Sequence, residues 1–296
     1  MRHADLVDAG PGVRAAIARE NRGAVGNAAV IDLGDETLVV DTHFSSSAAR
    51  ELREAAEEMT GRPVSLALNT HWHADHVLGN SEFAAATIVS TKRTCELIAT
   101  VGAERLAAQK GSLDVELPAE VERLRAAGDL EGAELLEELE EELRTVEHRL
   151  PDETFEREWS RGGARASTFG GGHTESDAFV LVPEAGALVA GDLVVVGMQP
   201  WAGHGDPGAW AGILERMLEL EWRSCVPGHG PVSGREVVAP LRDYLLALEA
   251  AVRSEALEPE LLERFAEWGQ PEMWPRNIAA LRERQASSRN AVRRST

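Results

Sequence analysis

The stretch Asn69-Thr70-His71-Trp72-His73-Ala74-Asp75-His76 places three histidines and an aspartate within six residues. It follows Val64–Leu68, an apolar run that predicts a strand, so the cluster is expected on a loop at the C-terminal end of that strand. In an extended loop, positions 71, 73 and 75 point to one side, and the turn to His76 brings a fourth group from another direction. Four ligand-type side chains at one strand end favour two metal ions over one.

Three more ligand-type residues occur later in the chain, each at the end of an apolar run. His173 lies in Gly170-Gly171-Gly172-His173-Thr174, Asp192 in Ala190-Gly191-Asp192 and His229 in Pro227-Gly228-His229-Gly230. The small neighbours allow the backbone to approach closely. Any one of these residues alone is most simply structural. Together with the first cluster, buried and unpaired His and Asp groups would be costly, and metal ligation satisfies them.

The remaining sequence predicts further strands and helices. Two β-rich runs in 28–41 flank the turn signal Gly34-Asp35 and predict a hairpin, and 45–60 predicts a helix with a serine-rich start and Gly61 just past its end. Glu and Leu dominate 103–150, where Leu139, Leu143, Val146 and Leu150 recur at helical spacing.

We interpret 103–150 as a helical insertion on a single domain that spans 1–296. Its further role, at a substrate entrance or a dimer contact, stays open. Helices are predicted from about 237 to 285, and the Ser- and Arg-rich tail 286–296 is expected to fray.

Composition limits the partners of the 296-residue chain. A formal net charge of -20 repels phosphate backbones and argues against a nucleic-acid partner. Cys95 and Cys225 lie far apart and form no paired-cysteine motif, which favours a reducing cytoplasm. The N-terminus has no apolar core of secretory-signal length, and the longest apolar runs are too short to span a bilayer. We expect a soluble, cytoplasmic protein that acts on a small molecule; its oligomeric state stays open.

The combined motifs resemble the metallo-β-lactamase-fold hydrolases. The resemblance rests on the HxHxDH segment, the GGHT, GD and PGHG loops and Val39-Val40-Asp41, and it covers about 25–240 apart from the insertion. It implies an α/β (α+β) fold, a four-layer αββα sandwich with the site at one edge of the two sheets. It also implies the ligand set: His71, His73 and His173 for one metal, Asp75, His76 and His229 for a second, Asp192 as the bridge, and Asp41 to orient the loop from behind the ligands.

Nitrogen and carboxylate donors without thiolate favour two zinc ions per chain, with iron and manganese as alternatives. Such ions would activate a hydroxide for attack on a carbonyl or phosphoryl centre. By resemblance, Asp75 would also accept a hydrogen bond from that nucleophile and so act in catalysis. Trp72, Trp201 and His204 are the candidate substrate contacts, and an apolar wall of this kind suits a small ester, lactone, thioester or β-lactam.

Two other classes of function remain open at this stage. One is an oxidoreductase with a single iron, similar to the persulfide dioxygenases of this fold. The other is a metal-binding protein without turnover. Zinc β-lactamases often carry a cysteine where this chain has Asp192, and the C-terminal region lacks the lysines expected of a glyoxalase II.

Overall fold

The computed structural model describes residues 1–254 and 263–294, without the side chains of 112–116 and 288–294. Its first sheet runs in chain order through β1 (Ala4–Gly10), β2 (Val13–Ala18), β3 (Ala28–Asp32), β4 (Thr37–Val40), β5 (Leu66–Leu68), β6 (Thr87–Thr91) and β7 (Glu153–Phe155). Strands β1 to β4 pair antiparallel, and β4 to β7 pair parallel. The hairpin predicted within 28–41 is the β3–β4 pair.

The second sheet contains β8 (Glu158–Arg161), β9 (Ala164–Gly170), β10 (Asp177–Val182), β11 (Ala187–Val195) and β12 (Ser224–His229). Strands β8 to β11 pair antiparallel, whereas β12 pairs parallel with β11. As a result, the carboxyl ends of β11 and β12 lie at the same edge of the sheet.

Eight helices complete the described fold: α1 (Ser46–Thr60), α2 (Ala74–Val77), α3 (Lys92–Leu97), α4 (Ala103–Ala126), α5 (Leu130–Thr145), α6 (Pro207–Leu218), α7 (Val238–Arg253) and α8 (Met273–Arg294). Short 3-10 turns occupy Leu78–Phe83 and Arg235–Val237, and a π-helical turn occupies Ile98–Gly102. No helix within the described ranges is long and apolar enough to cross a membrane.

Three apolar layers hold the sheets and helices together. Between the sheets, Ile31 and Leu68 of the first pack with Val180 and Val189 of the second. Helix α1 covers the outer face of the first sheet, and α6, α7 and α8 cover the outer face of the second. The predicted four-layer αββα sandwich is therefore confirmed.

The boundaries of α1 follow from its end residues. The Ser45 hydroxyl accepts a hydrogen bond from the Ala48 amide at 3.1 Å, and Gly61 ends the helix with a left-handed φ of 72°. Its apolar face, which includes Leu52 and Ala56, is buried against the sheet.

Helices α4 and α5 form a hairpin inside the range predicted as an insertion. Leu139 and Leu143 are buried between them, but α5 ends at Thr145 and Leu150 is 42% exposed. Asp129 caps α5, and each of its carboxylate oxygens accepts a 2.8 Å hydrogen bond from a terminal nitrogen of Arg22. These bonds connect the helical hairpin to the segment after β2. At the C-terminus, α8 continues to Arg294, through most of the range predicted as a frayed tail, and 295–296 lie outside the described residues.

Candidate metal centre

The HxHxDH loop leaves the carboxyl end of β5 and turns directly into α2. His73 is the extended residue before that helix, and Asp75 and His76 lie within it. The change from extended to helical backbone turns the later side chains away from the earlier ones. One loop thereby supplies ligands in two directions.

Seven ligand-type side chains meet at this loop in two groups. In each group, every residue offers one donor atom within 4.8 Å of the others. The first group contains His71, His73, His173 and Asp192, and the second contains Asp75, His76 and His229. The structure brings together all seven residues predicted as metal ligands. Four come from the loop after β5 and from α2, His173 from the loop after β9, Asp192 from β11 and His229 from the end of β12.

Asp192 lies between the two groups and faces both. Its Oδ2 is 3.1 Å from His173 Nε2, and its Oδ1 is 3.1 Å from His76 Nε2 and 3.4 Å from His229 Nε2. Asp75 Oδ2 lies 3.3 Å from the Nε2 atoms of the same two second-group histidines. Each oxygen of Asp192 is therefore directed at a different ligand group.

The donor atoms fit metal ions on two grounds. Among the described residues, the buried atoms His71 Nε2, His76 Nε2 and Asp192 Oδ1 have no hydrogen-bond partner. Buried polar atoms without partners are costly, and a cation at each ligand group would satisfy these atoms. The donor set is imidazole nitrogen and carboxylate oxygen, which zinc accepts in tetrahedral sites.

His71 and His73 differ from His76 and His229 in their protonation when no ion is bound. Burial lowers the pKa of His71 and His73 well below the ordinary histidine value. Burial also opposes the protonated form of His229, but Asp192 and Asp75 outweigh it and raise its pKa to about 10. The same carboxylates raise the pKa of His76 well above its usual range despite burial.

Asp41 supports the ligand loop from beneath. Its Oδ1 accepts from the Thr70 amide at 2.8 Å, and its Oδ2 accepts from the Thr70 hydroxyl at 2.8 Å and from His76 Nδ1 at 2.9 Å. The bond at Nδ1 leaves Nε2 of His76 unprotonated whenever the ring is neutral, and so ready for a cation. Asp41 itself has a left-handed φ of 62°, a conformation that Asp and Asn tolerate better than most residues.

Glycines beside the ligands make room for this packing. A Cβ at Gly228 would collide with Oδ1 of Asp192, and one at Gly26 would lie 2.7 Å from His76 Nε2. A Cβ at Gly191, whose φ is 51°, would collide with the Thr70 hydroxyl. The predicted close backbone approach thus has a specific cause at Gly191 and Gly228, and the structure adds Gly26, which the sequence did not indicate.

A cavity of about 670 Å³ lies over the two groups. Trp72, Trp201 and His204, the three predicted substrate contacts, all line it. Their rings are neighbours, because the His204 centroid is 5.1 Å from that of Trp72 and 5.4 Å from that of Trp201.

His204 also contacts a ligand residue, which the sequence did not indicate. Its Nδ1 lies 2.7 Å from His73 Nε2 and 3.2 Å from the Trp201 indole nitrogen. Because an indole N–H can only donate, Nδ1 of His204 accepts, and His73 donates to the same atom. His73 then keeps its unprotonated Nδ1 for the first ligand group. The contact spans 131 residues of sequence, so no local spacing could have revealed it.

Comparison with known proteins agrees with this fold and this site. The family model described as "Metallo-beta-lactamase superfamily" matches residues 21–229. A metallo-β-lactamase from Hirschia baltica is 18% identical, with a TM-score of 0.58 over 82% of this chain and 97% of the other. The mono-zinc form of FIM-1 from Pseudomonas aeruginosa is 17% identical, with a TM-score of 0.60 over 83% of this chain and 96% of that one.

A metallo-β-lactamase from Pontibacter korlensis is also 17% identical, with a TM-score of 0.60 over 82% of this chain and 99% of its own. At these identities the solved structures establish the fold, while the family model spans most of the chain and includes the HxHxDH loop. This chain belongs to the metallo-β-lactamase superfamily.

Proposed function

We propose that this chain is a dinuclear zinc hydrolase that cleaves a small ester, lactone, thioester or β-lactam. The position of Asp192 carries the proposal, because its two oxygens face the two ligand groups separately. A carboxylate in that position suits a bridge between two ions, and paired ions are a recurrent arrangement in hydrolytic enzymes. Zinc is supported by the nitrogen and oxygen donor set and by the zinc in the FIM-1 structure.

The residues of the site would have separate roles in metal binding, catalysis and substrate binding. His71, His73 and His173 would hold one ion, Asp75, His76 and His229 the other, and Asp192 both. When bound, zinc ions lower the pKa of coordinated water towards 7, from about 15.7 in bulk water, and polarise a carbonyl oxygen. Asp75 is partly open to the cavity and would accept a hydrogen bond from the nucleophile. Trp72 and Trp201 would form an apolar wall for the substrate.

The proposal is tested by metal analysis of the purified chain, followed by assays of esters, lactones, thioesters and β-lactams. We expect two zinc ions per chain and hydrolysis of at least one class. Asp75→Ala should abolish turnover, and near-normal turnover of this variant with full metal content would contradict the catalytic role.

Other results of the same experiment would replace the proposal. One iron per chain with oxygen consumption would indicate an oxidoreductase. Two bound metals with no turnover of any substrate class would indicate a non-catalytic metal-binding protein.

A further inference from the structure

The cavity over the metal centre reverses the charge balance of the chain. The sequence has 50 acidic residues against 30 Lys and Arg. Yet the only carboxylates among the described residues that line the cavity are Asp75 and Asp192, and both belong to the ligand groups. Two arginines, Arg105 and Arg276, line the same cavity. Apart from the metal ligands, its charged wall is therefore positive.

Neither of these arginines has an ion-pair or hydrogen-bond partner for its guanidinium group among the described residues. Within 1–254 and 263–294, the guanidinium groups of Arg105 and Arg276 form no ion pair and no hydrogen bond. Many other arginines on this acidic surface form ion pairs, although Arg157 does not; Arg149, for example, pairs with Asp152 at 2.9 Å. The two cavity arginines thus keep their N–H donors for a ligand.

Aromatic rings position both guanidinium groups. Cζ of Arg105 lies 5.8 Å from the Trp72 ring centroid, and Cζ of Arg276 lies 5.8 Å from that of Trp201, within the range of cation–π attraction. Because His204 lies between these tryptophans, the three rings form a continuous aromatic wall with an arginine at each end. Arg105 is on α4 and Arg276 on α8, so two separate elements place a cation at this wall.

On the basis of the proposed hydrolase, we propose that Arg105 and Arg276 bind an oxyanion substituent of the substrate. This substituent, a carboxylate or a phosphoryl group, is distinct from the bond that is cleaved, and the apolar part of the substrate lies on the aromatic wall. The planar guanidinium fork matches the oxygens of either group. The enzyme therefore selects anionic substrates over neutral analogues of the same shape, even though its overall charge is negative.

The test uses the zinc-loaded full chain and matched substrates. 4-Nitrophenyl hydrogen adipate carries a distal carboxylate, its methyl ester is the neutral analogue, and a phosphonate of equal length distinguishes the two kinds of oxyanion. The variants are Arg105→Gln, Arg276→Gln and the double substitution. Arg157→Gln is the matched control, because Arg157 is exposed, does not line the cavity and forms no ion pair within the described chain.

For each single variant we expect KM for the anionic ester to rise about tenfold, the size of one lost charge-assisted contact. Its kcat, its zinc content and the kinetics of the neutral ester should not change, and Arg157→Gln should behave as wild type. Equal kinetics of wild type and double variant on the anionic ester would overturn the proposal, as would an equal loss in Arg157→Gln. If the phosphonate rather than the carboxylate shows the larger arginine dependence, the subsite stands and its ligand is phosphoryl.

A binding measurement separates this proposal from the hydrolase itself. N-(4-nitrophenyl)adipamic acid has an anilide in place of the ester, and its binding to zinc-loaded protein is followed by calorimetry. If no ester, lactone, thioester or β-lactam is hydrolysed but the anilide binds about tenfold more weakly to each arginine variant, the proposed function fails and the subsite stands. Equal binding to wild type and double variant would remove the subsite, whatever the activity.

Discussion

At the scale of single residues, Asp41 links the backbone of the ligand loop to a metal ligand. Its carboxylate accepts three hydrogen bonds, two from Thr70 and one from His76, and it is almost completely buried. Because a neutral amide cannot accept all three, the charge as well as the shape of this side chain should matter for metal binding.

Asp41→Asn tests that dependence without changing the backbone preference, since Asn also tolerates the left-handed φ of 62° at this position. We expect the affinity for the second ion, measured by competition with a chromophoric chelator, to fall about 10- to 100-fold, as for other residues that orient metal ligands. Asp35→Asn, at an exposed turn, is the control and should retain wild-type affinity. Unchanged affinity in Asp41→Asn would rule out the orienting role.

His204 has a positioning role towards the first ligand group, because its Nδ1 accepts from His73. His204→Ala would leave the His73 N–H without its acceptor, and we expect affinity for the first ion to fall about tenfold. His204→Asn offers an amide oxygen near the position of Nδ1 and should recover most of that loss. An equal loss in both variants would mean that His204 acts through packing and not through this hydrogen bond.

At the scale of elements, the end of β12 depends on glycine. Gly228 precedes the ligand His229, and a Cβ there would collide with Asp192 Oδ1. We expect Gly228→Ala to displace the carboxylate that faces both groups, so that metal analysis finds about one ion or none per chain.

Gly212→Ala is the matched control, because Gly212 lies in α6 with nothing within 4 Å of its added Cβ. That control should keep its metal and gain about 1 kcal/mol of stability from helix propensity. If Gly228→Ala still bound two metal ions per chain, β12 could shift to accommodate the added Cβ without loss of metal binding.

The elements that the sequence predicted well are those with local signals. Helix α1 has a serine cap and a glycine stop, and the β3–β4 hairpin has a Gly-Asp turn. The β1–β2 hairpin has a turn signal, Gly10-Pro11-Gly12, but its first strand does not read as a strand, because β1 contains Asp5 and Asp8 and most of its residues are exposed. Leu150 fits the apolar spacing of α5, but the helix has ended five residues earlier. Periodicity alone does not reveal where a helix stops.

At the scale of the whole molecule, the candidate centre joins the two sheets. His73 and His173 lie 100 residues apart in sequence, and their facing ring nitrogens are 2.9 Å apart. Residue types and loop positions were enough to select the seven ligand-type residues, and resemblance divided them into the two groups that the structure brings together. Arg105 and Arg276 could not be selected in this way, because their proximity to the site depends on how α4 and α8 pack.

Metal binding should therefore depend on pH differently at the two groups. His76 and His229 are protonated in the metal-free chain at neutral pH, since Asp75 and Asp192 raise the pKa of both, that of His229 to about 10. An ion must displace these protons, so the affinity of the second group should increase with pH from 6.5 to 8.5, about tenfold per unit for each proton released. His71 and His73 have a lowered pKa and are already neutral, so they release no proton to the first ion.

Chelator competition at pH 6.5, 7.5 and 8.5 and constant ionic strength would separate the two binding steps, and calorimetry in buffers of different ionisation enthalpy would count the protons. A tight step with little pH dependence, followed by a step that strengthens as the pH rises, is the expected result. If the affinity of the weaker step were independent of pH, His76 and His229 would have to be neutral before the ion binds. Asp75 and Asp192 would then not raise the pKa of these histidines, although they lie beside them. Under proton competition at His76 and His229, acidification from pH 8.5 to 6.5 should release the second ion before the first.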